Sequence, residues 1–163
     1  MKNLRCCQFI VATLSLLCTG TLWAQPEVKS QLTVEKVVAQ SGGQKTLATA
    51  TEVKPGDVLV YTAIYRNAGS QPAHALVATV PVPQGMEWQG TDQASRLMPT
   101  QASIDGVVYE AIPLTRKVKL ADNREQVQQV PLNEYRFLRW TLPDLSAGGS
   151  VSVQVVAKVS TSQ

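Results

Sequence analysis

The 163 residues carry 15 Lys and Arg against 12 Asp and Glu, a net charge of +3, with three Cys and one His. That balance gives no strong field for nucleic acid or an anionic membrane, and so few His and Cys leave little for a transition-metal site. The chain opens on Lys2 and Arg5, an apolar run from Phe9 to Leu17, and Thr21-Leu22-Trp23-Ala24 before Gln25. This is the layout of a secretory signal peptide over residues 1–24, cleaved between Ala24 and Gln25. The apolar run is well short of the roughly 20 residues that a membrane helix requires, and Leu17 stands where a lipid-anchored Cys18 would want a small residue. Cys6, Cys7 and Cys18 all leave with the signal, so residues 25–163 hold no Cys and no disulfide is expected. These 139 residues, 163 less 24, suit one domain able to bury a core without covalent help. Losing Lys2 and Arg5 leaves 13 basic against 12 acidic residues, a net charge of +1.

In chain order, Gln25–Ser30 is polar and reads as a frayed start. Leu32–Ala39 alternates as a half-buried strand, Ser41-Gly42-Gly43-Gln44 turns it, and Thr46–Val53 reads as an edge strand with weak register. Lys54–Gly85 is the organising stretch. Pro55-Gly56 opens it, Asn67-Ala68-Gly69-Ser70 reverses it, and Pro81, Pro83 and Gly85 close it, so it predicts a central hairpin. Met86–Gly90 follows as a short strand and Thr91–Thr100 as a loop. Asp105-Gly106 signals a tight hairpin joining Gln101–Ile104 to Val107–Pro113. Thr115–Val130 fits either a second hairpin or a mobile loop. Tyr135–Leu142 places Leu138, Trp140 and Leu142 on one face, with Trp140 as the central core aromatic and Trp88, beside a turn, of less weight. Ser150–Val159 alternates Val151, Val153, Val155, Ala157 and Val159 against polar residues, so one face must be buried. No sustained helical period occurs after residue 24.

Pro55-Gly56-Asp57, Tyr61, Asn67-Ala68-Gly69 and Pro83-Gln84-Gly85, followed by Ser103-Ile104-Asp105-Gly106, Leu138-Arg139-Trp140 and Leu145-Ser146-Ala147-Gly148, stand in the order and spacing of a known repeat. Over about residues 32 to 159 the chain resembles the bacterial Ig-like repeat family called domain of unknown function eleven. Thr79-Val80 departs from it where an acidic residue often precedes the P-x-G turn. The resemblance implies an all-β, immunoglobulin-like antiparallel β-sandwich of about 7–9 strands, on an envelope or secreted protein usually without known activity. It also implies that Leu59, Tyr61, Ala63 and Tyr65 point at the core. The opposite face of that strand then carries Val58, Val60 and Ile64, more apolar than solvent asks for. Either a neighbouring loop covers this face, or it is a protein-docking surface.

Reactive constellations are scarce. His74 lies beside a turn and reads as solvated; no G-x-S-x-G elbow is present. The carboxylates are scattered over turns and strand ends. Asp57, Asp92, Asp105, Asp122 and Asp144 sit where sandwiches sometimes bind calcium, yet the spaced EF-hand cluster is missing. Gly42-Gly43 and Gly148-Gly149 precede strands rather than helices, unlike a phosphate cradle. The basic run Arg116–Arg124 lacks the interleaved aromatics of a nucleic-acid surface. The expectation is therefore no catalytic, cofactor-binding or metal-binding residues, no nucleic-acid partner, and a module that binds an unknown envelope or extracellular protein. The alternatives are a small carboxylate-dependent hydrolase and a fibre subunit joined by strand donation, for which Gln25–Ser30 offers little donor length. The end at Val159–Gln163 carries no wall-sorting motif or membrane helix, which points to a periplasmic or released protein with no membrane span.

Overall fold

A computed structural model describes residues 27–40, 42–90, 97–121 and 123–161. The expected signal peptide and its Ala24–Gln25 junction lie outside them, as do Asp92 and Asp122. Eleven strands occur among the described residues: β1 (Val28–Ala39), β2 (Lys45–Thr49), β3 (Val58–Asn67), β4 (Val77–Pro81), β5 (Met86–Trp88), β6 (Gln101–Ser103), β7 (Glu110–Ala111), β8 (Thr115–Lys119), β9 (Glu125–Gln129), β10 (Phe137–Thr141) and β11 (Ser150–Val159). Nine form two packed layers, a five-stranded sheet in the order β2-β1-β3-β11-β5 and a four-stranded sheet in the order β4-β10-β6-β7. The β8–β9 pair is a separate ribbon. Every pairing is antiparallel, and the fold is an all-β sandwich.

Period-two alternation builds this arrangement, because each strand then has one apolar face to bury. Leu59 and Ala63 of β3, Val153, Val155 and Ala157 of β11, and Met86 and Trp88 of β5 pack against Ala78 and Val80 of β4, Ala102 of β6, and Leu138 and Trp140 of β10 in one core. Tyr61 and Tyr65 pack partly buried against it, as the resemblance implied. Trp140 is almost fully buried and donates its indole N–H to the Leu97 carbonyl oxygen at 3.2 Å. Trp88 is buried as well, its ring centroid 5.3 Å from that of Tyr135, so it is a core aromatic and not a lesser residue at a turn.

The Lys54–Gly85 stretch is not a hairpin. β3 is flanked on both sides, by β1 and by β11, so no edge remains for the strand that follows it. Asn67 ends β3 fully buried: its side-chain amide donates to the carbonyl oxygens of Gln71 at 2.7 Å and Leu145 at 3.0 Å, and its Oδ1 accepts the Gly69 N–H at 3.0 Å. The turn thus redirects the chain across the sandwich. Ala73 bridges to Leu145, and β4 joins β10 in the other layer.

Two further expectations change. Val28–Ser30 is not frayed but belongs to β1, paired with Tyr65–Asn67. Asp105-Gly106 does not make a two-residue turn, since Ala102 pairs with Glu110 and six residues lie between β6 and β7. Of the two readings of Thr115–Val130, the hairpin is the one formed, as β8 and β9.

Candidate protein-docking face

Residues 58, 60, 62 and 64 of β3 point away from the core, on the outer face of the five-stranded sheet. There Val58 lies opposite Lys158, Val60 between Glu35 and Val156, and Ile64 between Gln31 and Ser152. On the edge, Leu47 of β2 lies opposite Val37 of β1. The apolar members of this face converge in a groove of about 500 Å³ lined by Val37, Leu47, Val58, Val60 and Val156, with Lys45, Asp57 and Gln154 supplying polar atoms.

The structure brings Val58 and Val60 together and separates Ile64 from them. Val60 forms the groove floor and is 8% exposed, Val58 is half-buried, and Ile64 is 38% exposed outside the groove. Four residues of strand carry Ile64 roughly 13 Å beyond Val60, and polar contacts fill the interval. Gln154 Nε2 donates to Thr62 Oγ1 at 3.2 Å, and Thr33 Oγ1 donates to the Thr62 carbonyl oxygen at 3.4 Å. The described residues that line the groove belong to β1, β2, β3, β11 and the Gly56–Asp57 turn, and none of them comes from a crossing loop. Among the described residues, Val60 is flanked on this face by its own sheet neighbours Glu35 and Val156.

At one end of the groove the turn before β3 is fixed by charge. Asp57 Oδ2 accepts the Lys54 N–H at 2.8 Å and pairs with Lys36 Nζ at 3.2 Å. The Lys54 amide first, and the Lys36 ammonium after burial's opposing effect, hold this carboxyl below its ordinary range. Gly56 takes φ +89° in the turn, a conformation that suits glycine. Asp57 is thus an ionised turn cap, engaged by a cation and an amide.

The other sequence-flagged polar residues are also engaged. His74 Nδ1 lies 2.7 Å from Asp144 Oδ2, both side chains largely exposed. The pair adjoins the Ala73–Leu145 bridge, which no local motif announces. Asp105 Oδ1 accepts the N–H groups of Val107 at 2.8 Å and Val108 at 3.0 Å. Among the described residues, no group of three or more His, Cys, Asp or Glu is placed to hold a metal ion. No helix there is long and apolar enough to cross a membrane.

Sequence reasoning missed two features. Arg139 lays its guanidinium 3.3 Å from the centre of the Tyr109 ring while its Nε is buried without a hydrogen-bond partner. The loop after β6 exposes Ile104, Val107 and Val108 on either side of Asp105-Gly106; those flanking apolar residues were the available signal. No protein-family model, curated protein or solved structure matches the chain.

Proposed function

We propose that this chain is an exported, non-catalytic module that binds another protein through the outer face of its five-stranded sheet. The open apolar groove carries the reading, because five aliphatic side chains line a concave surface beside an edge strand of the sandwich. A concave, mostly apolar surface with a few polar groups is the form a binding site takes, and an edge strand offers unpaired backbone groups beside it. The signal-like residues 1–24 support export to a periplasm or the extracellular space, and the resemblance to Ig-like repeats supports a structural or binding role in the envelope.

A photo-crosslinking side chain at Leu47, half-exposed on the groove wall, tests the reading in the source cells. One discrete adduct is expected from Leu47 and none from the same probe at Thr79, which is exposed in the four-stranded sheet. Equal labelling from both positions, or none from Leu47, overturns it. Sequencing the exported protein is expected to give a start at Gln25.

A further inference from the structure

The loop between β6 and β7 is an apolar knob whose backbone is fixed from below. Ser103, buried at the end of β6, donates its hydroxyl to Asp105 Oδ1 at 2.9 Å and accepts the N–H groups of Asp105 at 3.3 Å and Gly106 at 2.9 Å. Asp105 Oδ1 in turn accepts the N–H groups of Val107 and Val108. Gly106, at φ +79°, lies so close to Phe137 that a Cβ there would stand 2.8 Å from the ring. These ties leave Val107 80% exposed, with Ile104 and Val108 more than half exposed beside it. Val107 is held out to solvent, and Ile104 and Val108 flank it at the rim of a shallow hollow shared with Leu114 and Val130, on a loop that has little conformational freedom left to lose on binding.

A concave apolar surface is on the same chain. The knob belongs to the four-stranded layer and the groove to the outer face of the five-stranded layer, so the two cannot meet within one molecule. Their uncompensated charges are opposite. Glu110, exposed directly after the loop, and Lys45, on the groove wall, each lack an ion pair among the described residues. The other charged group lining the groove, Asp57, is already matched by Lys36. We infer that the chain associates head to tail with further copies of itself, the Ile104–Val108 loop of one molecule seated in the Val37, Leu47, Val58, Val60 and Val156 groove of the next. This rests on reading the groove as a docking face, and it names the occupant. A knob and a groove at different places on one surface make a heterologous contact, which builds open chains or rings rather than closed pairs.

Sedimentation velocity across a rising concentration series tests it with two double variants at exposed positions, Val107→Glu with Val108→Glu, and Lys45→Glu with Leu47→Glu. Wild type is expected to grow beyond dimers as concentration rises. Each variant, with an unfolding midpoint close to wild type, should associate at least about tenfold more weakly, since a carboxylate then enters an apolar contact. An equal mixture of the two variants should recover dimers and nothing larger, because the intact loop of one still fits the intact groove of the other. A wild type that stays monomeric, a loop variant that associates normally, or a mixture without dimers overturns the proposal. A Leu47 crosslink to a different protein, with monomeric wild type, would remove self-association and leave the docking face standing.

Discussion

The amide of Leu114 donates to the hydroxyl oxygen of Tyr135 at 2.7 Å, a buried hydrogen bond between residues 21 apart in sequence. Tyr135 is fully buried against Trp88, and Leu114 precedes the β8–β9 ribbon, so this one bond ties the base of the ribbon to the core. Tyr135→Phe keeps the ring and removes only the acceptor. The orphaned amide should cost about 1–3 kcal/mol, more than the average net worth of a hydrogen bond. Urea midpoints of the two proteins measure it, and amide exchange in β8 and β9 should quicken in the variant. A neutral substitution would mean that water reaches Leu114.

The two buried tryptophans should prove comparable. Trp140→Ala and Trp88→Ala each remove a large side chain from the same core cluster, and truncations of this kind cost about 3–5 kcal/mol. Denaturant unfolding of both variants tests the pairing of values. A cost near zero for Trp88→Ala would contradict its burial at the end of β5 against Tyr135.

That correction shows where sequence is informative about this fold and where it is silent. Alternation says which side chains share a face, and it did so for Ser150–Val159, for Leu138 with Trp140, and for both faces of β3. It does not say which strand lies beside which. The Asn67 turn looked like a hairpin because Asn and Gly favour tight reversals, whereas the long-range bond to Leu145 and the occupied flanks of β3 decide its direction. The same limit applies to the groove. Val58 and Val60 were visible as an apolar outer pair, but Val37, Leu47 and Val156 join them only through register between β2, β1, β3 and β11. The knob was hidden by Asp105-Gly106, whose two-residue turn signal lost to the hydroxyl and carboxylate network of Ser103 and Asp105.

Asn67 offers a sharper test of that redirected turn. Asn67→Ala takes a side-chain donor from the Gln71 and Leu145 carbonyl oxygens and the acceptor from the Gly69 amide, while the Leu145 oxygen keeps the Ala73 N–H, and should cost about 1–3 kcal/mol for the hydrogen bonds lost. Asn67→Asp should be worse than Ala at neutral pH, because a carboxylate then faces two carbonyl oxygens where an amide had donated. Burial and those oxygens raise the carboxyl pKa in the folded state, so the variant should regain stability as pH falls and the group takes up a proton. Thermal midpoints of both variants at neutral and acidic pH give the comparison. An Asp variant whose deficit is the same at every pH would show that the carboxyl has swung out to solvent.

Asp105 should show the opposite pH dependence. The Val107 amide first, then the Val108 amide and the Ser103 hydroxyl, hold its carboxyl below the ordinary value. A carboxyl more acidic in the folded than in the unfolded chain contributes fully above its unfolded value, near about pH 4, and that contribution is lost as pH falls through the folded value. Asp105→Asn keeps an oxygen acceptor for the two amides and removes the charge. The variant should therefore melt below wild type at neutral pH, with the gap constant down to about pH 4 and closing beneath it. Thermal melts of the two proteins across that range supply the measurement. A gap that persists undiminished in strong acid would assign the effect to altered loop geometry, and the charge of Asp105 would then have no part in holding Val107 and Val108 in place.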